Sequence, residues 1–85
     1  PYAKGAELNH VNITNCFVVE DAPAGVLSGK RAGARVLAVK TTHDAERLWR
    51  QGADFVVDNL TKVKARWSGN KIVLTIDSEL RPSFE

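Results

Sequence analysis

An α/β fold, with a parallel β-α-β-α-β sheet followed by a β-hairpin, is what the order of apolar segments predicts. Three short runs, Cys16-Phe17-Val18-Val19, Val36-Leu37-Ala38-Val39 and Phe55-Val56-Val57, are continuously apolar, and β-branched residues recur in all three. Runs of this kind suit strands buried on both faces, as parallel strands are. Phe17, Val36 and Phe55 stand nineteen residues apart each time, so each gap must hold a crossover helix. After Asp58 the pattern turns to alternation, the mark of a half-exposed strand.

Taken in order, residues 1–8 read as the tail of a helix leading into the first strand. Residues 22–32 form the first crossover helix, with Val26 and Leu27 apolar and Gly33 placed to end it. Gly29 inside it costs about 1 kcal/mol relative to alanine, which points to close packing on the sheet. Residues 43–51 form the second helix, since Ala45, Leu48 and Trp49 fall at i, i+3 and i+4 on one face. Thr41 or Thr42 can cap its start, and Gly52 can end it. Right-handed crossovers then lay these helices on a parallel sheet. Beyond the third strand, Val63, Ala65 and Trp67 alternate with Lys62, Lys64 and Arg66, Ser68-Gly69-Asn70 supplies a turn, and residues 71–76 return as a second strand. Residues 1–80 read as one core domain, and residues 81–85 as a frayed polar tail.

Eighty-five residues allow one small domain, which buries only about 60–65% of its unfolded surface. The chain holds no methionine and opens on Pro1, so it is expected to be a piece of a longer product. Twelve basic against ten acidic residues leave a net charge of +2, spread along the chain. That balance argues against a nucleic-acid or membrane-surface partner. The longest apolar runs are four or five residues, far short of the roughly 20 that span a bilayer. Cys16 is the single cysteine, so no internal disulfide can form and a reducing compartment is the default. With no secretory signal, the sequons at residues 12–14 and 59–61 are chance matches, and a cytoplasmic location is expected.

Ligands of open parallel sheets bind beyond the carboxyl ends of the strands. Those ends carry Glu20-Asp21, then Lys40-Thr41-Thr42, then Asp58-Asn59. Two adjacent carboxylates after a buried strand repel each other, and desolvating them is costly unless a cation or hydrogen-bond donors compensate. Magnesium suits such a place, because it takes hard oxygen ligands and commonly uses one or two carboxylates with a substrate phosphate. Spacing leaves a second reading open, in which Asp21 caps the following helix and Glu20 points to water.

The words around the pair speak for the metal. Val18-Val19-Glu20-Asp21-Ala22-Pro23-Ala24-Gly25-Val26, followed by Gly29-Lys30-Arg31-Ala32-Gly33-Ala34, closely resembles motif IV of phosphatases of the haloacid dehalogenase superfamily. Within that superfamily it is most similar to the branch holding β-phosphoglucomutases and the fungal glycerol-phosphate and deoxysugar-phosphate phosphatases. Thr41-Thr42-His43, the stretch Gln51-Gly52-Ala53-Asp54-Phe55-Val56-Val57-Asp58-Asn59-Leu60 and the late hairpin resemble the segments that follow in that branch. The resemblance covers residues 1 to about 80 and implies the C-terminal part of a Rossmann-like parallel sheet. It implies Asp21 as a direct Mg2+ ligand and Glu20 as an outer partner acting through water. It also implies an Asp nucleophile and an Asp acid–base in an Asp-x-Asp motif, a Ser or Thr, and a Lys. No Asp-x-Asp occurs in this sequence, and Pro1-Tyr2 resembles the residues just after the lysine segment, so Lys4 is not that lysine. No residue here is assigned to the catalytic steps themselves.

Other polar residues take structural readings. Cys16 suits core packing, and His10 and His43 lack partners at metal spacing. Asp58 is expected to cap the next turn rather than to bind a ligand. Lys62, Lys64 and Arg66 read as charges guarding an exposed edge strand, in preference to a phosphate-contacting face. The expectation is therefore the C-terminal part of a Mg2+-dependent phosphomonoesterase for small phosphorylated polyols or sugars, a monomer when complete. Its 85 residues alone are expected to be inactive. The alternatives are a β-phosphoglucomutase-like phosphotransferase, a non-catalytic α/β regulatory or binding domain and, more distantly, a nucleic-acid module.

Overall fold

The computed structural model describes residues 16–41 and 44–80. The helical lead-in expected over residues 1–8, His10, the 12–14 sequon, Thr42, His43 and the 81–85 tail lie outside the described residues. Strand β1 spans Phe17–Glu20, helix α1 Pro23–Ala32, strand β2 Arg35–Val39, helix α2 Ala45–Arg50 and strand β3 Phe55–Val57. A 3-10 turn, Leu60–Lys62, leads into strands β4 (Val63–Ser68) and β5 (Lys71–Ile76). The fold class is the predicted one: three parallel strands in the order β1-β2-β3, and a separate two-stranded antiparallel hairpin.

Phe17 pairs with Arg35 and Leu37 with Phe55, so both pairings are offset by eighteen residues (35 − 17 and 55 − 37) rather than the nineteen separating the run starts. That register decides which residues share a face. Val18, Val36, Ala38 and Val56 meet Val26 of α1 and Leu48 of α2 in the main core, with Ala45, Trp49 and Leu80 packed against it. Leu37, Val39 and Val57 point the other way, joined by Phe17, Phe55, Val63 and Ile76. Both helices therefore cover one face, as two right-handed crossovers running in the same direction must place them. The opposite face is met by the base of the hairpin, where the Phe17 and Phe55 rings stack with centroids 6.1 Å apart. Val26, Val36, Leu48, Val56 and Val57 are fully buried, and each such side chain contributes about 1.5–3 kcal/mol of transfer free energy.

Local chemistry sets the element ends. Pro23 opens α1 at the position where its missing N–H is no loss. Lys30 and Arg31 lie in its last turn, beside the negative end of the helix dipole. Gly33 then takes φ 97°, and the amides of Gly33 and Ala34 return to the Lys30 and Gly29 carbonyls, a Schellman closure. Gly29 packs as expected, because a methyl there would fall 2.8 Å from Val36 Cγ2. Helix α2 is capped by Asp44 through its backbone rather than by the expected Thr41 or Thr42, and Gly52 ends it with φ 100°. Cys16 precedes β1 and is half-buried.

In the hairpin, Val63, Ala65 and Trp67 stand opposite Ile76, Leu74 and Ile72. Gly69 begins its two-residue loop with φ 63°, where loops of this length favour glycine. Lys64 and Arg66 are exposed on the other face, whereas Lys62 belongs to the 3-10 turn and lies outside the strand. No helix among the described residues is long and apolar enough to cross a membrane.

Candidate functional site

Three strand ends converge at one edge of the parallel sheet. Val19, Glu20 and Asp21 from the end of β1, Val39 and Thr41 from the end of β2, and Leu60 after β3 line a depression of about 290 Å³. The Lys40 amide donates to the Val57 carbonyl (2.8 Å), which carries the β2–β3 pairing to the sheet edge. The Thr41 amide then turns back to the Val39 carbonyl (3.1 Å), and this tight turn brings Thr41 to the rim.

The two acids are held differently. Asp21 is exposed and sits between the last residue of β1 and Ala22, the N-cap of α1. No side chain caps that helix, so the reading in which Asp21 serves as its cap does not describe this chain. Glu20 is half-buried, and its Oε1 accepts a hydrogen bond from the Asp21 amide (3.3 Å). Its side chain lies against Gly25 in the first turn of α1, filling the space that a methyl on Gly25 would occupy. One carboxylate thus stands at the rim while the other is laid into a slot beside it.

This pair suits a small hard cation, since both donors are carboxylate oxygens next to a polar Thr41 on an otherwise apolar rim. It is a partial donor set. Among the described residues no group of three or more His, Cys, Asp or Glu comes together. A bound ion would complete its octahedron with water, substrate oxygens or ligands from elsewhere, as Mg2+ commonly does.

Asp58 is exposed and stands apart from the depression, and it does not cap the following turn. Asn59 does so, with Oδ1 accepting from the Thr61 amide (2.9 Å) and from the Thr61 hydroxyl. That turn projects Leu60 to the rim, a lining residue that sequence reasoning missed. The sequence motif does not by itself give Gly25 a task of its own. A glycine inside a helix, five residues after a strand-end glutamate, was the signal for its contact with Glu20.

Comparison with known proteins supplies relatives. The chain is 42% identical over 66 residues to validoxylamine A 7'-phosphate phosphatase of Streptomyces hygroscopicus subsp. limoneus, covering 78% of this chain and 29% of that protein. It is 45% identical over 62 residues to hexitol phosphatase A of Escherichia coli (strain K12), with 73% and 28% covered. It is 35% identical over 71 residues to glycerol-1-phosphate phosphohydrolase 2 of Saccharomyces cerevisiae, with 75% and 28% covered. The chain spans less than a third of the length of these relatives. No family model matches the chain, and no solved structure matches it.

Proposed function

We infer that this chain, a relative of the haloacid dehalogenase superfamily phosphatases, contributes the metal-binding acids of a Mg2+-dependent phosphomonoesterase for small phosphorylated polyols or sugars. The observation that carries the reading is the convergence of Glu20, Asp21 and Thr41 on one depression at the carboxyl edge of a parallel sheet. Ligands of such sheets bind at that edge. The names of the relatives, a validoxylamine A 7'-phosphate phosphatase, a hexitol phosphatase and a glycerol-1-phosphate phosphohydrolase, support a small phosphorylated substrate.

The residues divide the work by their exposure. Asp21, exposed at the rim, would hold the ion directly. Glu20, laid against α1, would act through a water and orient it. The ion supplies Lewis-acid neutralisation of charge on the phosphoryl oxygens. Val19, Val39 and Leu60 give part of the depression an apolar lining, and Val19 and Leu60 are themselves exposed there. The nucleophile comes from outside these 85 residues, which contain no Asp-x-Asp.

Phosphate release titrated with Mg2+ in the complete enzyme tests this reading. Asp21→Asn is expected to remove most of the magnesium-dependent rate, and Glu20→Gln to remove less. Unchanged turnover with unchanged metal dependence in Asp21→Asn would sink the assignment.

A further inference from the structure

Gly25 is the third residue of α1, where alanine would make the better helix. Its φ is not among the positive ones of this chain, so backbone freedom does not explain the glycine. Space does. A Cβ at position 25 would fall 2.1 Å from Cδ, 2.3 Å from Cγ and 2.5 Å from Oε2 of Glu20. Glu20 leaves β1 on the helix-covered face, two residues beyond Val18 and opposite Ala38. From there its side chain crosses the bare Cα of Gly25, and Oε1 turns back to the Asp21 amide.

We propose that Gly25 is a positioning residue: the missing methyl opens a slot in the first turn of α1 that fixes the Glu20 carboxylate beside Asp21, and so sets the outer shell of the cation that Asp21 holds. This rests on the magnesium reading of the pair. The overlapped atoms belong to the outer half of a flexible side chain. An added methyl is therefore accommodated by turning Glu20 out of the slot, with the helix backbone in place. Folding and metal response come apart in the Gly25→Ala variant. Its helix gains a better former, while the second carboxylate leaves the site.

The test is a double-mutant cycle of Gly25→Ala, Glu20→Ala and the pair in the full chain. Mg2+ affinity is read by calorimetry, and metal-free stability by thermal unfolding. Each single variant is expected to bind Mg2+ roughly tenfold more weakly, the usual scale for an outer-shell partner. The double variant should be no weaker than Glu20→Ala alone, and metal-free Gly25→Ala should melt at or above the parent temperature. Parent-like affinity in Gly25→Ala, or losses that add in the double variant, would overturn the proposal. If Gly25→Ala fails to fold, the double variant, which lacks the clash, must fold, and its failure counts against the slot as well. If the parent gives no Mg2+ response, the magnesium reading is what has failed. The Gly25–Glu20 contact is then judged by the Asp21 amide resonance, which Gly25→Ala must move as Glu20→Ala does, with no further shift in the pair.

Discussion

The carboxylate of Asp54 takes two kinds of partner, and they are not worth the same. Its Oδ2 accepts the Val36 amide at 2.7 Å, while Lys30 Nζ approaches the same carboxylate at 2.9 and 3.2 Å. Side chains about a third exposed make an ion pair that solvent weakens, worth at most about 1 kcal/mol. Removing the acceptor leaves the Val36 amide without its charged partner, a loss of about 1.5–3 kcal/mol. Asp54→Ala is therefore expected to lower unfolding free energy by about 2 kcal/mol, and Lys30→Ala by well under half of that. Urea denaturation of both variants checks it, and equal losses would put the ion pair first. At this scale the sequence disclosed the acids at the strand ends, because a strand followed by Glu-Asp puts them there whatever the packing. It did not disclose Gly25's task, which depends on the direction Glu20 takes. It also pointed to Asp58 as the cap where Asn59 takes the role, since both are preferred residues at neighbouring positions.

Helix α2 is six residues long, too short to hold its shape by propensity, so its place depends on what it buries. Leu48 is its one fully buried side chain, and Trp49 ties the helix to the return segment by donating its indole N–H to the Leu80 carbonyl (2.9 Å). Leu48→Ala is expected to cost about 2–5 kcal/mol, with the helix released before the sheet. Amide hydrogen exchange would show protection lost first at residues 45–50 and last at Val36 and Val56. Simultaneous loss everywhere would make α2 part of the sheet's own cooperative unit. The 3.6-residue spacing of Ala45, Leu48 and Trp49 made this face legible in advance. The cap was not: Thr41, Thr42 and Asp44 are all preferred cap types, and Asp44 takes the position without a side-chain hydrogen bond. The strand register was also hidden, because the spacing of apolar runs counts residues between starts and does not fix which residues pair.

For the molecule as a whole, the expected alternation of strands and helices is present, and the shared face of α1 and α2 follows from chain direction and crossover hand. The hairpin was legible as a hairpin but not as a sheet of its own, because its alternation says nothing of what it packs upon. Under the phosphatase reading, the isolated 85 residues are expected to release no phosphate from glycerol phosphate or an aryl phosphate with Mg2+ present, since covalent phosphoryl transfer needs a nucleophile. Multiple turnovers by purified chain, matched to its concentration, would overturn that. The two tryptophans give the fold an optical signature of its own. Trp49 is half-buried with its indole N–H bonded, whereas Trp67 is 71% exposed at the hairpin end. Iodide should quench Trp67 first and leave a blue-shifted emission from Trp49. Trp67→Phe should yield a chain whose remaining fluorescence follows the α2–Leu80 clasp alone, turning a packing contact into a spectroscopic clock for the opening of the domain.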